Sequence, residues 1–183
     1  MFARSLWVLM LIPNISGRYV DSVIPSGLIE QEETPQTRAA RLDANVRLLT
    51  ALTLQQQGWQ LYEQHWYRLF EVEMMWIPAE NFCRQMGGHL PSIKNKAEND
   101  FIHGIRKKNN IWIGLNKLSD TLGPYAWSDG QKAEYLNWDS TQPNEPDVHC
   151  VYMAYNQDKQ GTWFDYGCHE KLPQYFVCKI VLN

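Results

Sequence analysis

The chain lacks the short motifs that mark common hydrolases and nucleotide-binding enzymes. Its 183 residues contain no Gly-x-Ser-x-Gly elbow, no His-Glu-x-x-His helix and no glycine-rich phosphate-binding loop. His65, His89 and His103 are scattered, and the sequence places no nucleophile beside any of them. We therefore expect a binding protein without enzymatic activity.

An apolar run long enough to span a membrane is also missing, because a helix needs about 20 such residues to cross a bilayer. Arg4 precedes a shorter apolar stretch at residues 6–12, which ends at Pro13 and is typical of a secretory signal peptide. Residues 1–17 are predicted to form this signal, with cleavage near Gly17; an uncleaved signal anchor is the alternative. The mature chain is then expected to be secreted and extracellular, where thiols oxidise to disulfides.

Positive charge is not in excess. The chain has 17 Lys+Arg against 20 Asp+Glu, a net charge of -3. Loss of Arg4 with the signal leaves 16 against 20, which is -4. This balance argues against a surface for nucleic acid or anionic lipid. The single Asn-x-Ser/Thr sequon, Asn14-Ile15-Ser16, lies in the predicted signal, so the mature chain has none.

Cysteine is scarce but present in an even number. The four cysteines are Cys83, Cys150, Cys168 and Cys178, and no two of them form a Cys-x-x-Cys pair. In an extracellular chain this favours disulfides over a zinc site. Four thiols allow three pairings, and their positions alone do not choose among them.

Two segments separate the predicted signal from the cysteine-containing region. Residues 18–35 are polar and acidic, with two prolines, and are predicted to form a flexible tail. Residues 36–57 are predicted to form a helical neck, since apolar or small residues recur there at alternating spacings of three and four. These positions are Ala39, Leu42, Val46, Leu49 and Thr53. An isolated helix of this length is marginal in water. It therefore either self-associates as a short coiled coil or packs on the domain that follows.

From residue 58 onward the patterns predict mixed helices and strands. Strands are expected at residues 59–70, 111–115 and 175–181. One helix contains Pro78 in its first turn and ends at Gly87-Gly88. A second has Asn95 as its N-cap and Glu98 as the reciprocal partner, and it finishes at Lys107 and Lys108. The residues expected to face the core are Ala79, Phe82, Cys83 and Met86 on the first helix, and Ala97, Phe101 and Ile105 on the second.

Three features together resemble the C-type lectin-like domain: the strand Ile111-Trp112-Ile113-Gly114-Leu115, the loop Gln142-Pro143-Asn144 and the four cysteines. The resemblance covers residues 58–183. It implies an α+β fold of two helices, small antiparallel sheets and a long irregular loop region. It also implies the short, four-cysteine form of the domain, with bridges Cys83–Cys178 and Cys150–Cys168.

The resemblance implies a calcium site in the long loop. In the family, side chains flanking a cis proline, an acid before the inner cysteine and a Trp-Asn-Asp motif hold the ion, and two sugar hydroxyls complete its shell of six to eight oxygens. The implied metal ligands are Gln142, Asn144, Asp147 and Asp165. The implied ligand-binding residues are Gln142, Asn144, Glu145, Phe164 and Asp165. Because Gln-Pro-Asn is a hybrid of the mannose-type and galactose-type patterns, it names no sugar.

Two departures from the family pattern predict a weak or degenerate calcium site. Trp163-Phe164-Asp165 replaces Trp-Asn-Asp, and Val148 stands where an acid is usual. Asp165 with Asp147 gives a charge of about -2, below the family's value of about -3. A second register, Glu145-Pro146-Asp147 with Asp165, would restore the higher charge. A zinc site at His149 and His169 would need further ligands that the sequence does not name.

Three functions fit these observations. The first is a secreted lectin that recognises a glycan or glycoprotein through calcium and the Gln142-Pro143-Asn144 loop. The second is a calcium-independent lectin-like module that binds a protein with the long loop and its aromatic residues. The third is a matrix component whose neck helix is the active part. Each is compatible with homo-oligomers formed through residues 36–57.

Overall fold

The computed structural model describes residues 33–155, 161–169 and 173–182. The contacts divide the chain into two units, Met1–Ala40 and Arg41–Asn183. Residues 33–40, the only described part of the first unit, include the start of helix α1 (Pro35–Gln56). The predicted signal peptide and nearly all of the predicted tail lie outside the described residues. None of the helices in the described ranges is long and apolar enough to cross a membrane.

Helix α1 covers nearly all of the predicted neck, and none of its residues is buried. Leu42 and Leu49 of the predicted apolar seam are 64% and 63% exposed. Near the end of the helix, Ala51 and Leu54 pack against the core of the second unit, to which they belong. Core contact is therefore made near the C-terminal end of the helix, and Leu42 and Leu49 stay open to solvent.

In the described ranges, eight strands form one sheet. They are β1 Gln60–Tyr62, β2 His65–Met74, β3 Gly88–His89, β4 Ile111–Asn116, β5 Ala126–Trp127, β6 Cys150–Met153, β7 Trp163–Tyr166 and β8 Gln174–Val181. The order is β1-β2-β8-β4-β6-β7, with β3 beside β8 and β5 beside β4. Strands β4 and β8 run parallel, and the other pairs are antiparallel.

The single strand predicted at residues 59–70 is wrong, because this segment is a hairpin. Strands β1 and β2 pair with each other, and Tyr62 lies opposite His65. The reversal places Glu63 in the left-handed region at φ 52°, which a glutamate occupies at some cost. No glycine or proline lies between the two strands, so the residue pattern alone did not indicate the turn.

The two predicted helices are present, with corrected core faces. Helix α2 is Trp76–Gln85 and helix α3 is Lys96–Ile105. The Oδ1 atom of Asn95 accepts the backbone N–H of Glu98 at 2.9 Å, as expected of an N-cap. Met86 is 40% exposed and Ala97 is also exposed, so both were wrongly assigned to the core. The most buried residues of α3 are instead Glu98, Asn99 and Ile102.

Glu98 does not complete the predicted reciprocal cap because its carboxylate is used in the core. Its Oε1 atom accepts the Lys179 ammonium at 2.7 Å and the Tyr67 hydroxyl, and its Oε2 atom accepts the backbone N–H of Lys94. Lys179 also donates to the carbonyl oxygen of Ser92 at 2.8 Å. Burial by itself would raise the pKa of Glu98, but hydrogen bonds from Lys179 and Tyr67 lower it below its ordinary value. This buried ion pair ties α3 to β8.

Both implied disulfides are confirmed. Cys83 on α2 bridges Cys178 on β8, and Cys150 on β6 bridges Cys168 just after β7. Both bridges lie in one core cluster with Trp76, Trp112 and Phe176. A second cluster, which includes Trp127 and Trp163, supports the sheet on the side of the long loop.

Candidate functional site

The long loop between β5 and β6 is hydrogen-bonded to Trp163, the first residue of the edge strand β7. The backbone N–H of Trp163 donates to the carbonyl of Asn137 at 2.8 Å, and that of Asp139 donates back to Trp163 at 3.0 Å. The Trp163 indole N–H donates to Asn99 of helix α3 at 2.9 Å. The position of the loop is therefore set by the core through a buried tryptophan.

Asp139, which the sequence analysis missed, organises the next turn. It is 5% exposed, and its carboxylate accepts both the backbone N–H and the hydroxyl of Thr141. Its carbonyl accepts the N–H of Gln142 at 2.9 Å. An aspartate followed two residues later by threonine is typical of an Asx turn, and this signal could have identified Asp139. The turn delivers the chain to the Gln142–Pro143 peptide bond, which is cis, as the resemblance implied.

After the cis bond the loop is exposed from residue 143 to residue 147. Asn144, Glu145 and Asp147, three of the predicted ligands, are therefore open to solvent. Gln142 is only partly exposed, and its Oε1 atom is buried without a hydrogen-bond donor. An amide oxygen in that state still has an unused acceptor capacity.

Asp165 on β7 is the predicted ligand that the structure brings under this loop. It is 6% exposed, and its two carboxylate oxygens accept the backbone N–H groups of Asn144 at 3.4 Å and Glu145 at 3.1 Å. Within the described residues, no Lys, Arg or His side chain pairs with it. Burial raises the pKa of Tyr125 to about 12, and the negative charge of Asp165 adds to this shift. The negative charge of Asp165 is thus compensated by backbone N–H dipoles of the loop.

Phe164 lies on the other face of β7. Successive side chains of a strand point to opposite faces, and the Phe164 ring stacks on Tyr152 of β6 with centroids 5.6 Å apart. Tyr166 meets the same Tyr152 ring edge-on at 5.9 Å. The structure therefore does not bring Phe164 to the side of Asp165, and its contact with a ligand stays a prediction.

The donor set fits calcium only in part. Calcium takes six to eight oxygens, whereas the enclosed donors here are one carboxylate, already hydrogen-bonded, and the unsatisfied Gln142 oxygen. Across the described ranges, no three His, Cys, Asp or Glu side chains converge as a metal site, which also leaves the zinc alternative at His149 and His169 without support. The loop accordingly supplies fewer enclosed oxygens than a calcium cage needs.

These features define a class of protein: a disulfide-bonded α+β binding domain whose long loop is fixed on an edge strand. A family model described as the Lectin C-type domain matches residues 72–180. One chain of the snaclec coagulation factor IX/factor X-binding protein of Trimeresurus stejnegeri is 34% identical over 131 residues, 67% of this chain and 82% of that one. The chain belongs to the C-type lectin domain family.

Solved structures agree with this assignment. The cow C-type carbohydrate-recognition domain of CD23 is 30% identical, with a TM-score of 0.61 over 68% of this chain and 94% of that one. A calcium-independent type II antifreeze protein is 29% identical, with a TM-score of 0.62 over 68% of this chain and 92% of that one. The predicted family and fold class are confirmed, and the family is generally non-enzymatic.

Proposed function

We propose that this chain is an extracellular lectin-like module that binds a protein partner through residues 141–147 without calcium. The observation that carries the proposal is the contact between Asp165 and the backbone N–H groups of Asn144 and Glu145. In the family pattern this carboxylate ligates the ion, whereas here it holds the loop directly. The loop then needs no metal to keep its position.

The charge of the exposed loop suggests the kind of partner. Glu145 and Asp147 are exposed, and no described cation forms an ion pair with either of them. Complementary charge across an interface raises the association rate and selects the partner, so a protein surface bearing Lys or Arg fits this loop. The snaclec relative is named for binding coagulation factors, and the antifreeze relative is described as calcium-independent. These names support the proposal that a domain with this fold can bind a protein and can work without calcium.

Calorimetric titration with calcium tests the proposal. We expect wild-type protein to release no binding heat at millimolar calcium, and its melting temperature to be the same with calcium and with EDTA. Saturable heat that Asp165→Ala abolishes, together with a higher melting temperature in calcium, would contradict the metal-free proposal.

A second candidate is calcium-dependent glycan recognition, and the buried Gln142 Oε1 atom without a donor favours it. In that case Gln142, Asn144, Asp147 and Asp165 hold a weak calcium ion, with Glu145 and Phe164 beside the sugar. Retention on mannose or galactose resin that requires calcium and is lost in Asp165→Ala would support this candidate. Passage through both resins with calcium present would exclude it for these sugars.

We further propose that secreted copies of the chain associate through residues 36–57. The support is the exposed seam at Leu42, Val46 and Leu49 on a helix without buried residues, since such a helix gains most of its stability from packing. Sedimentation should show an oligomer for a chain starting at residue 18 and a monomer for one starting at residue 58. Two monomers would refute the association.

A further inference from the structure

A cavity with a volume of about 370 Å³ lies apart from the loop residues discussed above. Two segments form it: the residues just before helix α3 and the residues that follow β5. Its lining is Ile93, Lys94, Gln131, Lys132, Glu134 and Tyr135. The volume is within the range of pockets that hold small ligands. None of these residues belongs to the predicted calcium or glycan site.

Two lysines and one glutamate line the cavity, which gives it a local formal charge of +1 (two cations against one anion). Three of the described lysines have carboxylate partners: Lys96 pairs with Asp100, Lys107 with Glu71 and Lys179 with Glu98. The ammonium groups of Lys94 and Lys132, like that of Lys108, make no hydrogen bond or ion pair with any described residue. Lys94 also directly precedes the N-cap of α3, where the helix dipole is positive. The two cations therefore line one concavity in a chain whose net charge is -3.

The remaining lining offers hydrogen-bond acceptors and an aromatic face. The Gln131 amide N–H donates to Asp129 at 3.0 Å, which leaves its carbonyl oxygen as an acceptor. Glu134 supplies a second exposed acceptor. The Tyr135 ring is half-buried and meets Trp163 edge-on at 5.7 Å, so its position is fixed by the core. Burial raises the pKa of its hydroxyl, with a smaller contribution from Asp100, and so keeps the proton on this group.

We propose that this cavity binds an acidic sugar unit, with its sulfate or carboxylate group between Lys94 and Lys132 and its ring beside Tyr135. Charge-assisted hydrogen bonds to the ammonium groups recognise the anion. Gln131 and Glu134 accept hydrogen bonds from the ring hydroxyls, and the aromatic ring covers the apolar face of the sugar. A sugar ring presents several hydroxyl donors beside its acidic group, whereas Asp and Glu side chains present none, so an acidic peptide is the alternative that the test below separates. The site is independent of calcium and of the loop at residues 141–147.

Titration calorimetry of the chain from residue 18 with a sulfated glycosaminoglycan disaccharide tests this site. We expect saturable binding at about 50 mM salt that weakens at higher salt, because exposed charges are screened. Lys94→Gln with Lys132→Gln should lower the affinity by about tenfold, since hydrogen bonds to charged groups are lost. Lys108→Gln is the matched control, because Lys108 is an exposed lysine outside the cavity. The control should change the affinity by less than about twofold.

Further arms identify the ligand chemistry. The unsulfated uronic-acid disaccharide tests whether a carboxylate suffices, and a glutamate-rich peptide of equal charge tests the protein alternative. Asp165→Ala and EDTA should leave disaccharide binding unchanged, which separates this site from the proposed loop function. The proposal is overturned if neither disaccharide binds, if the double variant binds like wild type while retaining the wild-type melting temperature, or if the peptide binds as tightly as the sugars.

Discussion

Two carboxylates of this domain are buried to a similar degree, but their negative charges are compensated in different ways. Glu98 is 4% exposed and Asp165 is 6% exposed. Glu98 receives the buried ammonium of Lys179 from another element, whereas the donors to Asp165 among the described residues are two backbone N–H groups of the loop, at residues 144 and 145. The first carboxylate therefore helps to hold the fold together, and the second holds one loop. The difference separates a structural core from a surface available for recognition.

The two disulfides belong to the same core cluster but close segments of different length. Cys83 and Cys178 are separated by 95 residues and join α2 to β8 in the core. Cys150 and Cys168 are separated by 18 residues and close the short segment that contains β7 and Asp165. Closing a longer loop removes more entropy from the unfolded chain. We therefore expect the two bridges to differ in how much they stabilise the whole domain.

Removal of the Cys83–Cys178 bridge should have the largest effect on the free energy of unfolding. Replacing Cys83 and Cys178 by alanine should lower the free energy of unfolding by about 4 to 5 kcal/mol, and replacing Cys150 and Cys168 by about 3 kcal/mol. Urea unfolding of both double variants beside wild type measures the two values. A greater loss from the Cys150–Cys168 pair would contradict a stabilisation that grows with the length of the closed segment.

Loss of the Glu98 carboxylate should have the second-largest effect on the free energy of unfolding. Glu98→Gln leaves the Lys179 ammonium, whose side chain is 5% exposed, without its anionic partner, and breaking a buried pair costs about 3 to 5 kcal/mol. Chemical unfolding checks the loss. The matched control is the double variant Glu98→Leu with Lys179→Met, which removes both charges and should recover part of the stability. A double variant less stable than Glu98→Gln would argue against an uncompensated charge as the cause.

The core network should also appear in the acid dependence of stability. Because the pKa of Glu98 is lowered in the folded protein, the unfolded chain binds its proton first as the pH falls. The stabilisation is then complete above the ordinary pKa of 4.5 and is lost as the pH falls through the lower folded value. Glu98→Gln should have a flatter melting-temperature profile between pH 6 and 3 than wild type. Parallel profiles would show that other groups cause the acid dependence.

Local signals in the sequence predicted much of the fold. The Asn95 cap is correct because its hydrogen bond spans three residues, and Gly87 ends α2 with φ 85°, which glycine adopts readily. Contacts distant along the chain were not visible in these patterns. Glu98 and Lys179 are 81 residues apart, and a glutamate on a helix is ordinarily expected on the solvent face. This is why the core face of α3 was assigned one position away, at Ala97.

The residues of the loop and of β7 could be singled out from the sequence, but their bonding could not, and their role as ligands stays a prediction. Gln142-Pro143-Asn144 and Asp165 are recognisable because they resemble side chains of a family motif. The donors that Asp165 uses are backbone N–H groups of Asn144 and Glu145, and every residue except proline carries such a group. A pattern of side chains therefore cannot predict this contact, although it is the contact that supports a metal-free loop.

The smallest predicted effect concerns Asp165 itself. In Asp165→Asn, the single side-chain oxygen can accept one of the two loop N–H groups, while the new NH₂ group faces the other. We expect a loss of about 1 kcal/mol in the free energy of unfolding, typical of one net hydrogen bond. Hydrogen exchange should accelerate at the amides of Asn144 and Glu145 and stay unchanged in the core around Glu98.

The matched control for this change is Asp147→Asn, because Asp147 is exposed on the same loop and no described cation pairs with it. It removes the same charge without touching the Asp165 contact, so exchange at Asn144 and Glu145 should stay at the wild-type rate. If Asp147→Asn accelerated these two amides as much as Asp165→Asn does, net charge would control the loop. If Asp165→Asn accelerated core exchange or cost as much as Glu98→Gln, Asp165 would belong to the structural core. Acceleration confined to the loop in Asp165→Asn alone would establish that a buried carboxylate can replace a metal ion in holding it.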